Sequence, residues 1–231
     1  MILDFSIGKN SSYLKNKKLS MLIEKEIKKT LGLIHPRRKM IDIGACEGYW
    51  SILLSVSFDK ILAFETIPFN YQILKNNSKN IQNIKTFNFS LSDIKEDYQM
   101  IGFEKPTDPY TCDKSMRLEY YKNEMQNKHK ISENLVDKIL KHQLAKIFDV
   151  MSIVFDDEFE NENDIDFLNI DVVGDELKVL HGLIQTIDKT KAFIRVVTEN
   201  QNVDRFMHDI GYIKTAMNYL WQHKEPRSIL I

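Results

Sequence analysis

Three acids set in short apolar runs carry the chemistry legible in this chain. They are Asp42 in Met40-Ile41-Asp42-Ile43, Glu65 closing Lys60-Ile61-Leu62-Ala63-Phe64-Glu65, and Asp171 closing Ile165-Asp166-Phe167-Leu168-Asn169-Ile170-Asp171. Such runs read as buried parallel strands, and open α/β sheets bind ligands at the carboxyl ends of those strands. The first run passes into Gly44-Ala45-Cys46-Glu47-Gly48-Tyr49-Trp50, a turn with glycine at both ends that feeds an apolar helical segment. Glycine has no Cβ, so a ligand can approach the backbone at Gly44 and Gly48. The next helix offers unpaired N–H groups to an anion. Glu65 stands at the tip of the second strand, where a carboxylate accepts hydrogen bonds from both hydroxyls of a ribose. A nucleoside ligand follows. The order Asp-x-Gly-x-x-x-Gly is not the Gly-x-Gly-x-x-Gly of dinucleotide folds, and Tyr49 and Trp50 crowd the place of their third small residue. NAD and nucleotide sugars are thereby disfavoured.

Taken in order, Ile41-Asp42-Ile43-Gly44-Ala45, Ala63-Phe64-Glu65-Thr66-Ile67-Pro68-Phe69-Asn70 and Asp166-Phe167-Leu168-Asn169-Ile170-Asp171-Val172-Val173-Gly174-Asp175-Glu176 resemble the FkbM-type family of S-adenosylmethionine-dependent methyltransferases. The resemblance covers about residues 38–104 and 150–231. It implies a class I methyltransferase fold: a doubly wound, mostly parallel seven-stranded sheet with an antiparallel closing strand. It also implies S-adenosylmethionine as cofactor, S-adenosylhomocysteine as product, and a hydroxyl of a small molecule, saccharide or glycoconjugate as acceptor. The cofactor residues it implies are Asp42, Gly44, Ala45, Cys46, Gly48, Tyr49, Trp50, Glu65, Thr66 and Asp171, with Ser92 or Asp93 at the adenine edge. Ser92 and Asp93 are equally suited to capping a turn or helix. The family word at the fourth strand usually reads Lys-Ile-Asp-x-Glu-Gly-x-Glu. Here Asn169 stands for the Lys and Val173 for the first Glu, while Asp171, Gly174 and Glu176 match. Losing that Glu removes a charge from the acceptor side. It leaves open a form that binds cofactor without turnover, and an amine acceptor also stays open.

Methyl transfer from a sulfonium needs an acceptor held in line with the S–CH3 bond and a group that takes the acceptor's proton. Candidates at the carboxyl ends of the fourth and fifth strands are Asp171, Glu176 and Glu199. Asp171 is favoured because it ends a buried strand, and capping of the next helix is its alternative role. His181, ten residues beyond Asp171 and well along the helix, reads as a surface or core residue. Asp171 with Glu199-Asn200 also resembles the acid, acid-amide set of catechol-type methyltransferases, which would hold Mg2+ through hard oxygen ligands. Acid-amide pairs are common loop chemistry, so no metal is the expectation.

These groups need one core to position them. At 231 residues the chain suits a single domain, with an N-terminal arm and helix over 1–38 and a helical insertion over 105–149. Lys plus Arg (32) nearly cancels Asp plus Glu (33), so no long-range field draws in nucleic acid. Two cysteines, Cys46 and Cys112, argue against a disulfide framework, and Cys46 reads as a small residue filling loop space. No leader and no membrane-length apolar run is visible, so the expected compartment is the cytoplasm. Leu19, Leu22, Ile23, Ile27 and Leu31 recur at helical spacing before Pro36 ends the helix. Arg37-Arg38-Lys39 reads as a solvated strand entrance, with a phosphate-bearing substrate as the alternative. Ile84–Leu91 alternates as a third strand and Tyr98–Phe103 as another. From Ser132 to Phe148 an apolar stripe predicts a helix over 132–148, either a cap on the active face or a homodimer surface. Glu158–Asp164 is read as a solvated acidic loop. A single helix is expected over 174–187, and closing strands over 212–216, 219–221 and 228–231, with the last two as a hairpin.

Overall fold

The computed structural model describes residues 17–103, 116–127, 145–217 and 219–225. In chain order the first half comprises α1 (Lys17–Leu33), β1 (Lys39–Ile43), α2 (Tyr49–Leu54), β2 (Lys60–Phe64), α3 (Pro68–Ser78), β3 (Ile84–Phe87), β4 (Ser90–Leu91), β5 (Asp97–Phe103), β6 (Met116–Arg117) and α4 (Leu118–Asn127). The second half comprises β7 (Ala145–Ile153), α5 (Phe155–Glu158), β8 (Ile165–Ile170), α6 (Glu176–Gly182), α7 (Ile184–Thr190), β9 (Phe193–Val196), α8 (Gln201–Asp209), β10 (Tyr212–Lys214) and β11 (Leu220–His223).

Seven strands form one sheet in the order β10-β11-β9-β8-β1-β2-β3. Strands β3, β2, β1, β8 and β9 run parallel, while β11 is antiparallel to both β9 and β10. This is the class I methyltransferase sheet. The chain order reverses beside β1, which is where such sheets open a ligand crevice.

Alternation along the central strands sorts the two faces. Ile41, Ile43, Leu168, Ile170, Ile194 and Val196 turn to one face, where Val179, Leu180, Leu183, Val203 and Met207 cover them. Met40 and Phe167 turn to the other, under Ile27, Ile34, Trp50, Leu53, Leu54 and Phe58. Side chains two apart share a face, so Asp42, Asn169 and Arg195 belong with Met40, Phe167 and Phe193. The register places Asp42 opposite Asn169, and Asn169 opposite Arg195. A polar row thus crosses three adjacent strands inside an apolar face.

The third strand is shorter than the alternation predicts. It stops at Phe87 because the Asn88 amide turns back to donate to the carbonyls of Glu65 (2.9 Å) and Thr66 (3.0 Å). Ser90 and Leu91 then join a second sheet of order β4-β7-β5-β6, pairing in parallel with Ser152 and Ile153. Strand β5 pairs antiparallel with β7 along its whole length. Residues 145–148, expected as the end of a helix, are therefore strand. Their apolar pattern serves as one side of a half-covered ribbon, with Ile147 exposed and Val150 buried. The remainder of the expected 132–148 helix lies outside the described residues, as does 228–231. Strands β10 and β11 form an antiparallel hairpin; the one expected between 219–221 and 228–231 involves residues outside those described. The helix expected over 174–187 is broken at Leu183 into α6 and α7, with Asp156 accepting from the backbone N–H groups of Gln185 (2.8 Å) and Thr186 (3.0 Å) at the start of the second piece.

Opposite the crevice, the basic stretch and the acidic loop neutralise each other. Arg38 donates to Asp166 from its backbone N (2.7 Å) and Nε (3.0 Å), and also pairs with Asp164. Glu162 takes both Lys39 and Lys60, and Arg37 donates to the Ile34 carbonyl at 3.0 Å. These partners account for the cluster, which has no need of a phosphate. Asp166→Ala would strand a guanidinium and a backbone N–H beside a buried strand end. The expected cost is about 2 kcal/mol, read as a lower denaturant midpoint with an unchanged slope. Among the described residues, no helix is long and apolar enough to cross a membrane.

Candidate active site

At the carboxyl ends of β1, β2, β8 and β9 the chain leaves a crevice of about 390 Å³. Its wall includes Asp42, Gly44, Ala45, Cys46, Tyr49, Trp50, Glu65, Thr66 and Asp171, the majority of the residues expected there. Gly48, Ser92, Asp93, Glu176 and Glu199 are not part of that wall.

The turn after β1 is fastened from two sides. Gly44 and Ala45 both donate to the Phe64 carbonyl, at 3.0 and 2.9 Å. Glu65 Oε2 accepts from the Cys46 N–H and Oε1 from the Ile67 N–H, each at 2.8 Å. Asn70 also hydrogen-bonds this carboxylate, which is 5% exposed. Burial pushes Glu65 up to about 7, with Asp42 adding to the rise and those donors opposing it. Each carboxylate oxygen has two lone pairs, so acceptor capacity remains for a ligand. Both turn glycines have positive φ, but neighbours explain their missing Cβ. A Cβ on Gly44 would stand 2.2 Å from the Asp171 carbonyl oxygen, and one on Gly48 would stand 2.6 Å from Leu74 Cδ1. Cys46 has positive φ and is disulfide-bonded, a bond that the cysteine count did not anticipate.

Asp42 is fully buried and serves the frame. Its Oδ2 accepts from Ser51 Oγ of α2 and its Oδ1 from Asn169 Nδ2 at 2.8 Å. Burial raises its pKa; Ser51 and Asn169 oppose the rise. The row continues as Arg195 Nη1 donates to Asn169 Oδ1 at 2.9 Å and to Asp171 Oδ2 at 3.3 Å. Arg195 Nε reaches Glu26 of α1 at 2.9 Å, and its guanidinium lies 4.4 Å from the Trp50 ring. Asp171 is also held above the usual carboxylate range by burial, with Arg195 opposing. It does not cap α6, whose N-terminal flank is Asp175.

The remaining candidates fall elsewhere. Glu176 is buried at the start of α6, where it accepts from the Gly174 N–H at 3.3 Å and from Thr198. Glu199 lines a separate hollow with Thr198, Asp204, Lys214 and Trp221. Asn200 Oδ1 accepts from the Asn202 N–H at 3.0 Å and so caps α8. The set Asp171, Glu199 and Asn200 is thus not gathered for a metal, and the described residues contain no group of three or more His, Cys, Asp or Glu able to hold one. Buried Ser92 bonds to the Ile153 carbonyl through its backbone N–H at 2.9 Å, and Asp93 is exposed beside it. His181 is exposed against Phe206.

Sequence reasoning missed Arg195 and Glu26, which line the crevice. A charge inside the apolar run Ala192–Thr198 was the available signal for Arg195. Glu26 gave none. Beyond Asp171 the wall continues through Phe89, Tyr98, Met100, Val172 and Val173. Arg117 stacks 3.7 Å from the Tyr98 ring and pairs with Asp175 and Glu96.

The chain is similar in fold to the FkbM methyltransferase of Methylobacillus flagellatus KT, at 15% identity and a TM-score of 0.50, over 83% of this chain and 45% of that one. It therefore spans less than half the length of that relative. It also aligns with a precorrin-6y C5,15-methyltransferase of Geobacter metallireducens GS-15 (14% identity, TM-score 0.48, 92% and 80% of the two chains). A third match is TrmK of M. capricolum in complex with S-adenosyl-homocysteine (14%, 0.42, 89% and 70%). Among curated proteins none matches. The model of the methyltransferase FkbM domain matches residues 42–220, from the first acid of the polar row to the first residue of the closing strand. The chain belongs to the FkbM methyltransferase family.

Proposed function

We propose that this chain is an S-adenosylmethionine-dependent methyltransferase that acts on a hydroxyl of a small-molecule or saccharide acceptor. One observation carries the reading: the Glu65 carboxylate, buried and strapped to the Cys46 and Ile67 N–H groups, lines the same crevice as the Gly44 turn. The residues present fit the cofactor. Glu65 has lone pairs for two ribose hydroxyls, and Gly44, Ala45 and Thr66 line the crevice beside it. When bound, S-adenosylmethionine supplies a methyl group on a sulfonium with a neutral leaving group.

This chain's residues then hold the acceptor and receive its proton. Asp171 ends β8 within the crevice and is the proposed proton acceptor; Arg195 orients its carboxylate and opposes the rise that burial imposes on it. Apolar side chains at Val172, Val173, Phe89 and Met100 exclude water from the path, which favours orientation over charge as the main source of rate. Glu176 and Glu199, outside the crevice, are left with structural roles in this mechanism. Asp171→Asn is expected to lower the transfer rate constant about a hundredfold, measured in single turnover with cofactor saturating. An unchanged rate constant would assign the proton to solvent.

A second reading, cofactor binding without turnover, is favoured by Val173 in the place of the family Glu and by Asp175 being tied to Arg117. Calorimetric titration with S-adenosylhomocysteine tests the shared premise, with micromolar binding expected. Transfer of labelled methyl to a panel of hydroxyl and amine acceptors separates turnover from binding alone, and oxygen from nitrogen.

A further inference from the structure

At the end of the crevice away from Glu65, two carboxylates share one guanidinium. Arg195, its side chain 8% exposed, donates to Glu26 at 2.9 Å and lies farther from Asp171, at 3.3 Å. Glu26 comes from α1, outside the matched span of residues 42–220. It precedes Ile27 and stands one turn before Thr30, both buried. The helix therefore turns a carboxylate toward its packing face, where a charge is costly unless it is paired. Among the described residues, one guanidinium serves two acids, which leaves the crevice wall with an excess of negative charge. Asp42 does not relieve that excess: its hydrogen-bond donors, Ser51 and Asn169, are neutral, and it is itself an acid that feels both Asp171 and Arg195.

We infer that Glu26 and Arg195 form a subsite for an α-amino-acid group, the carboxylate of Glu26 receiving its ammonium and the Arg195 guanidinium its carboxylate. The inference rests on the cofactor reading above. With ribose held at Glu65 on β2, an extended ligand crosses β1 and β8 to reach β9, three strand spacings or about 14 Å away. An ammonium brings three donors and no acceptor, which suits a carboxylate already facing the crevice. The planar fork of arginine suits a carboxylate, and stacking on Trp50 fixes its plane. Asp171, the more distant of the two acids on Arg195, is then left for the acceptor's proton. On this account α1 is a working part of the site, although it lies before the matched domain.

Three ligands resolve the subsite: S-adenosylhomocysteine, its deaminated 2-oxo analogue, and 5′-methylthioadenosine, which lacks the amino-acid group. Their affinities are measured by calorimetry on the full chain and on Glu26→Gln and Arg195→Lys. The wild type should prefer S-adenosylhomocysteine to 5′-methylthioadenosine by more than about tenfold. Glu26→Gln should weaken S-adenosylhomocysteine about tenfold while leaving the other two within about twofold, since only the ammonium contact is lost. Arg195→Lys should weaken both carboxylate-bearing ligands and spare 5′-methylthioadenosine. Equal loss for all three ligands in Glu26→Gln, or no loss for any, overturns the subsite, because a merely structural ion pair cannot tell them apart. A wild type that binds 5′-methylthioadenosine as tightly as S-adenosylhomocysteine overturns it while keeping the cofactor reading. Failure of the wild type to bind any of the three removes both.

Discussion

Gly44→Ala is expected to lower the unfolding free energy by about 3 kcal/mol or more and to abolish binding of S-adenosylhomocysteine. Two costs add. Gly44 has a φ of +78°, and an L-residue pays about 1–2 kcal/mol in that region. The new Cβ would also stand 2.2 Å from the Asp171 carbonyl oxygen and 2.9 Å from its carbon. Those are backbone atoms at the end of β8, and the Asp171 N–H is bonded to the Ile43 carbonyl at 2.9 Å. Relief of the clash must therefore part β1 from β8 where Asp171 and the turn meet. The contrast with Gly32 makes the test specific: a Cβ there has nothing within 4 Å. Gly32→Ala in α1 should gain about 0.5–1 kcal/mol from the smaller backbone entropy of alanine. Chemical denaturation of the two variants beside the wild type reads both effects. A Gly44→Ala protein with the wild-type midpoint would mean that the turn does not pack against β8 as described.

That pair also shows which parts of the molecule were legible in sequence. The parallel core was, because Met40–Ile43, Lys60–Phe64 and Ile165–Ile170 are apolar runs ended by glycine or acid, and burial on both faces demands such runs. The turn and Glu65 were legible for the same reason: each directly follows a strand. What escaped depends on pairing between distant segments. Asp42, Asn169 and Arg195 are polar residues scattered over three separate apolar runs, and only the register of β1, β8 and β9 makes them one row. The reason for Gly44 was likewise out of reach, since its constraint is a carbonyl 127 residues away in sequence. Residues 145–148 show the converse error. Ile147 and Phe148 fit a helical stripe, yet the backbone groups of β5 need a partner strand and β7 provides it. Local periodicity cannot weigh that demand.

Cofactor affinity should rise with pH through neutrality in the wild type and be flat in Glu65→Gln. An ordinary glutamate ionises near 4.5, and burial pushes Glu65 up to about 7. Ribose hydroxyls donate, so they bind the ionised carboxylate, and binding below the folded pKa must release its proton. The ionised fraction grows about tenfold from about pH 6 to about pH 8, and the association constant for S-adenosylhomocysteine should grow with it. Stability runs the opposite way. Between about 4.5 and about 7 the folded protein holds a proton that the unfolded chain has released. Folding is thus assisted below that window, and the assistance is lost as pH rises through it. At about 1.4 kcal/mol per unit the loss approaches roughly 3 kcal/mol by neutral pH. Asp42 and Asp171 are also raised by burial, so the difference between wild type and Glu65→Gln, rather than either curve alone, isolates this carboxylate. Denaturant midpoints and calorimetric affinities across that pH range, taken on both proteins, read the two opposed slopes. Wild-type affinity that does not change between about pH 6 and about pH 8 would separate Glu65 from the ligand. Opposed slopes in the two measurements are what the proposed ribose contact requires of this carboxylate: the ionisation that costs the empty protein stability is the one that lets Glu65 accept from hydroxyls.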